Sequence, residues 1–131
     1  MKKAKGFTLV ELVIVIVIVG ILSIVAVPIY RGYTRKAMAS EGKALLGTIQ
    51  TAQKVYYTEF ASFATVGNTN FTTLIDVDAR PNKYFRSFSV SASGDNWTAI
   101  TTGSGSASGI SLTITSSRTG QPNWTESGLN N

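Results

Sequence analysis

The chain has 131 residues, with 12 Lys and Arg against 7 Asp and Glu, and contains neither cysteine nor histidine. Without cysteine there is no disulfide framework or thiol chemistry, and without histidine the commonest general base and metal ligand is gone. Three of the bases are Lys2, Lys3 and Lys5, and the other nine against seven acids leave only +2, too small a balance to imply a nucleic-acid surface. This is poor material for an enzyme, and no catalytic constellation, phosphate loop or metal-ligand spacing stands out.

Met1–Gly6, MKKAKG, is a short basic leader. On its own it reads as the start of a secretory signal, but the apolar run that follows is too long and carries an acid. No small-x-small cleavage site follows it at Ala26-Val27-Pro28. The run, Phe7 to Tyr30, is almost wholly apolar and β-branched, and is uncharged from Leu12 onward. That length spans a bilayer as a helix, the form in which a lone segment satisfies its own backbone in lipid. Glu11 is the anomaly: a carboxylate inside a bilayer costs ~2.5–3.5 kcal/mol, so it is a functional candidate. Gly20 and Pro28 weaken the same helix, and Pro28 removes a donor and crowds the carbonyl of Ile24.

From Tyr33 to Phe60 the apolar residues Met38, Gly42, Leu45, Ile49, Ala52, Tyr56 and Phe60 recur at helical spacing. The pattern predicts one helix from Phe7 to Tyr57, bent near Pro28, whose second half lays this stripe on a separate layer. Ala61–Asn82 reads as a loop with a short turn over Thr72–Val77. Asp76 and Asp78 within it are too few hard ligands for calcium. Strands are predicted over Tyr84–Ala92, Trp97–Thr102 and Ile110–Thr115, with a short edge strand at Asn123-Trp124-Thr125. A hairpin turn falls at Ser93–Asn96, and Gly103–Gly109 reads as a flexible tract. The fold class is therefore α+β: a long N-terminal helix whose second half packs on a three- or four-stranded antiparallel sheet. Asn70-Phe71-Thr72, Asn96-Trp97-Thr98 and Asn123-Trp124-Thr125 match the glycosylation pattern, which a Thr- and Asn-rich chain produces by chance. The tyrosines along the helix read as interface anchors and core.

Lys5-Gly6-Phe7-Thr8-Leu9-Val10-Glu11, with the basic leader before it and the apolar run after it, resembles the leader junction of type IV pilins and type II secretion pseudopilins. The resemblance is strongest over residues 1–30 and beyond that is one of architecture. It implies a division into a leader (1–6), a membrane and filament-core helix (7–30), and an amphipathic helix half with a small β domain (31–131). It implies cutting after Gly6 by a prepilin peptidase and N-methylation of the new terminus at Phe7. It also implies assembly registered by Glu11, which lies one helical turn from that amine and pairs with it in a neighbouring subunit. Such a pair selects register, because a mismatched packing strands one charge at ~3–5 kcal/mol.

Gly20 and Pro28 match the places where helices of this family loosen in the filament. The partners implied are copies of the chain itself, the peptidase, the inner-membrane assembly machinery, and the bilayer before assembly. No cofactor, metal or nucleic acid is implied. The leader would lie in the cytoplasm and the domain in the periplasm, with the filament extracellular and the loops Ser62–Pro81 and Thr102–Gly109 on its outside. The alternatives are the major pseudopilin of a type II secretion system and an uncut membrane protein carrying a small binding domain. Members usually fasten their C-terminal region with a disulfide. Here the region is expected to be held by Trp124 packing and hydrogen bonds, or to be loose.

Overall fold

A computed structural model describes residues 6–67 and 74–129. The helix α1 runs unbroken from Leu9 to Phe60, 52 residues, through both Gly20 and Pro28. Thr8 starts it in extended conformation (φ −80, ψ 151), with its side chain accepting from the Glu11 N–H. Ala61 ends it in the left-handed region (φ 52), with its N–H on the Tyr57 carbonyl at 2.9 Å. The helix thus starts two residues later and ends three residues later than its periodicity predicts.

The half of α1 beyond Pro28 buries Ala39, Gly42, Leu45, Leu46, Ile49 and Gln53. This stripe is rotated from the expected one. Ala39, Leu46 and Gln53 replace Met38, Ala52 and Tyr56, which are only partly buried, and Phe60 is 59% exposed. Gly42 is needed for close approach, because a Cβ there would meet Leu112 Cδ1 at 2.5 Å and Phe85 Cδ1 at 2.9 Å.

Four strands, β1 (Phe88–Ser93), β2 (Asn96–Thr102), β3 (Ser111–Ser117) and β4 (Asn123–Ser127), form an antiparallel meander in sequence order. The pairs Val90↔Ala99, Ala99↔Ile114 and Ile114↔Trp124 fix one register across the sheet. They turn Phe88, Val90, Trp97, Ala99, Leu112 and Ile114 toward α1, as period-2 alternation requires. Gly94 takes φ +57 in the two-residue β1–β2 turn, a conformation that costs glycine little.

Three expectations change. Strand β1 begins at Phe88, not Tyr84, because the N–H groups of Tyr84 and Phe85 are taken by the Glu41 carboxylate at 2.6 and 3.0 Å. The Gly103–Gly109 tract holds a 3-10 turn, Gly105–Ala107, with Ala107 buried. It lies by Arg35, at the end of the domain nearest the apolar helix half. Trp124 does not anchor the C-terminal region, being 38% exposed on a strand with no buried residue. That region is held instead by the β3–β4 ladder, a Lys43–Glu126 ion pair at 2.6 Å, and the Arg35 Nε–H donating to the Gly128 carbonyl at 2.8 Å.

The segment after α1 is also more than a loop. Ala64, Val66, Ile75, Val77 and Ala79 are buried, and Val66 bridges Val90 at the outer edge of β1. Buried Gln53 closes a two-way clasp, donating to the Ala64 carbonyl at 2.8 Å and accepting from its N–H at 2.9 Å. The Asn70-Phe71-Thr72 pattern and the start of the Thr72–Val77 turn lie outside the described residues. Gln53→Leu leaves both Ala64 backbone groups buried without partners, so it should cost ~2–4 kcal/mol in urea unfolding of the detergent-solubilised chain. A loss below ~0.5 kcal/mol would show that the clasp contributes nothing.

Candidate functional site

The sequence motif and the largest unsatisfied surface coincide at the start of α1. Every described residue from Gly6 to Tyr30 is exposed, Phe7 to 88%. Among the described residues α1 is the one helix apolar and long enough to cross a membrane, and none of its apolar window is buried. A contiguous apolar surface of this size marks a partner or a membrane.

At its head, Thr8 and Glu11 form a reciprocal cap. The Thr8 N–H and hydroxyl donate to Glu11 Oε2 at 2.8 and 2.7 Å, and the Glu11 N–H donates to Thr8 Oγ1 at 3.2 Å. Thr-x-x-Glu before an apolar run is the capping-box signature, so Thr8 was readable from sequence though its role was not foreseen. The cap satisfies donors that would otherwise enter an apolar medium bare. It also leaves capacity on Glu11, because an ionised carboxylate has about four lone-pair sites and Oε2 alone carries the cap.

The structure therefore brings Glu11 to Thr8 and leaves Gly6 and Phe7 open. A Cβ on Gly6 or Gly20 would meet nothing within 4 Å, so the chain's own packing requires glycine at neither position. Pro28 lies in unbroken helix one turn before Arg31 and two before Arg35. Asp78 is held by Arg80, whose Nε and Nη2 donate to its two oxygens at 2.9 and 2.8 Å. That hydrogen bonding keeps the Asp78 carboxyl below its ordinary range.

Below the apolar half, polar side chains of α1 fasten the domain at successive heights. Arg35 clamps two segments, with its Nε–H on the Gly128 carbonyl and its Nη2 on the Ser108 carbonyl at 3.1 Å. Glu41 comes next. Partial desolvation opposes its charge, but the N–H groups of Tyr84 and Phe85 and the adjacent Lys83 outweigh this and hold its carboxyl below 4.5. Lys43 and Gln53 follow with the contacts given above. None of these four anchors carried a sequence signal, since each depends on a partner distant in the chain.

The family model of the prokaryotic N-terminal methylation motif matches residues 1–27. The chain is 37% identical over 108 residues to fimbrial protein EcpC of Eikenella corrodens, covering 81% of this chain and 68% of that protein. It is 40% identical over 86 residues to a fimbrial protein of Neisseria meningitidis serogroup B, covering 66% and 49%. It is 53% identical over 53 residues to the type IV major pilin protein PilE1 of Neisseria gonorrhoeae, covering 40% and 32%. The chain spans about half the length of the meningococcal proteins it matches.

The Glu41 contacts give a pH dependence. A carboxyl depressed by folding stabilises the fold above its unfolded pKa, near 4.5, and that stability is lost as pH falls through the folded value. The thermal stability of the domain should therefore fall as pH drops below 4.5, and Glu41→Gln should flatten that limb. An unchanged acid limb in the variant would remove Glu41 from the account.

Proposed function

Because the chain belongs to the type IV pilin family, we propose that it is the structural subunit of a pilus, cut after Gly6 and polymerised through α1. The observation that carries this reading is the apolar helix from Leu9 to Tyr30, which no part of its own fold covers. Two environments suit such a rod in turn: a bilayer before assembly, and the helices of other copies afterwards. The precursor would wait in the inner membrane with its leader in the cytoplasm, then pass into an extracellular filament.

A prepilin peptidase would cleave the Gly6–Phe7 bond and methylate the Phe7 amine. Open space at Gly6 is consistent with glycine being demanded by an enzyme's cleft rather than by the chain. Cleavage leaves a cation at Phe7, and once the helix leaves water that cation needs an anion. Glu11 would supply it to a neighbouring subunit with the oxygen capacity that its cap to Thr8 leaves over. The inner-membrane assembly machinery would deliver each subunit to that register. Gly20 and Pro28 would let the helix loosen between them as neighbours pack. The fimbrial and major-pilin relatives support the pilus over a type II secretion filament.

Two substitutions separate the steps. Glu11→Gln retains an acceptor for the Thr8 cap and loses only the charge, so fibres sheared from cells should fall at least roughly tenfold while the leader is still removed. Fibres at normal yield would remove charge pairing from assembly. Gly6→Val should leave the intact mass at that of the full precursor, and a normally shortened product would sink the peptidase assignment.

A further inference from the structure

At the end of the domain farthest from Arg35, a cavity of about 220 Å³ opens between the last turns of α1 and the sheet. Three aromatic side chains wall it. Tyr57 and Phe63 have ring centroids 4.7 Å apart, and Trp97 lies 6.4 Å from Phe63. Lys54 and Arg118 line it too. Lys54 has no ion-pair partner among the described residues. Arg118 Nε stands 3.9 Å from Asp95, with both side chains more than half exposed.

Two polar side chains in this wall keep hydrogen-bonding capacity in reserve. Trp97 is only 2% exposed, but its indole N–H donates to no described residue. No fully buried side-chain nitrogen among the described residues lacks a partner, so this N–H touches open space, and the cavity is the space Trp97 lines. Ser116 is 6% exposed, and its hydroxyl reaches only the carbonyl of Ser117 at 3.5 Å, the outer limit of a hydrogen bond. A donor that reaches open space and a hydroxyl with one long hydrogen bond, both on residues lining the cavity, leave it polar capacity for a ligand.

We propose that this cavity binds one acidic sugar ring, a hexuronic acid. Its volume lies below the ~300 Å³ at which pockets for drug-sized molecules begin, which suits a single ring. The C–H face of the pyranose rests on Tyr57 and Phe63. Its hydroxyls take the Trp97 N–H and the Ser116 hydroxyl, and its carboxylate sits between Lys54 and Arg118 in charge-assisted hydrogen bonds. A flat aromatic acid leaves the two polar groups unused, and an inorganic phosphate leaves the aromatic wall unused.

The binding needs no assembled filament, so it is tested on the full chain in detergent micelles, where failure would leave the assembly reading standing. Trp124→Phe leaves Trp97 as the one tryptophan of the two in the chain. Its emission should change saturably with D-glucuronate, and at least roughly tenfold more weakly with D-glucose or acetate at matched ionic strength. Lys54→Gln with Arg118→Gln should weaken glucuronate binding by at least roughly the same factor with the far-UV spectrum unchanged, and Ser116→Ala should weaken it less. No saturable response to glucuronate, an equal response to acetate, or undiminished binding by the double variant would overturn the proposal.

Discussion

The structure depends on an imbalance within one helix. From Arg35 to Phe60 α1 is half covered by a sheet and the segment that follows it, whereas from Leu9 to Tyr30 it is bare. Each buried Val, Ile or Leu stabilises by ~1.5–3 kcal/mol, so covering the bare half is worth on the order of tens of kcal/mol. Among the described residues the domain's apolar side chains are already gathered in one core with the other half of α1. Under the proposed function the covering would come first from lipid and then from other copies, and the bare half of α1 suits either.

The head of the helix is suited to that exchange. A helix entering an apolar medium must satisfy its first N–H groups, and Thr8 and Glu11 do so locally. The same carboxylate brings a charge into that medium, which stabilises nothing unless a cation meets it. The cap is closed within the single chain, and the proposal gives the charge that remains its use in assembly. The lower half shows how a cysteine-free domain stays closed. Arg35 and Lys43 both hold the C-terminal segment, Glu41 the segment before β1 and Gln53 the segment after α1, so no one crosslink carries the C-terminal region.

Much of this was legible in the residues, for identifiable reasons. Ile110, Leu112 and Ile114 alternate cleanly and lie in or beside β3, and the apolar run is helical as its length and apolarity imply, unbroken through Gly20 and Pro28. What escaped was what depends on distant partners. Glu41 carries no signal of its own in the sequence, yet its carboxylate takes the N–H groups of Tyr84 and Phe85, at the start of the strand expected from Tyr84. Gln53 falls outside the apolar stripe read from the sequence and is buried, because Ala64 doubles back onto it. The helical stripe was placed one position off at Met38 and Ala39, since apolar period alone does not distinguish partly from fully buried neighbours. Trp124 looked like an anchor because of its size, but the edge of the sheet leaves it half uncovered.

The most direct test is an electron cryomicroscopy map of the sheared fibre at side-chain resolution. It should show α1 helices of neighbouring copies covering Leu9 to Tyr30, a chain that begins at Phe7, and that amine within ~4 Å of a neighbour's Glu11 carboxylate. Fibres whose subunits keep Met1, or in which Glu11 faces only its own Thr8 with no cation beside it, would contradict the account.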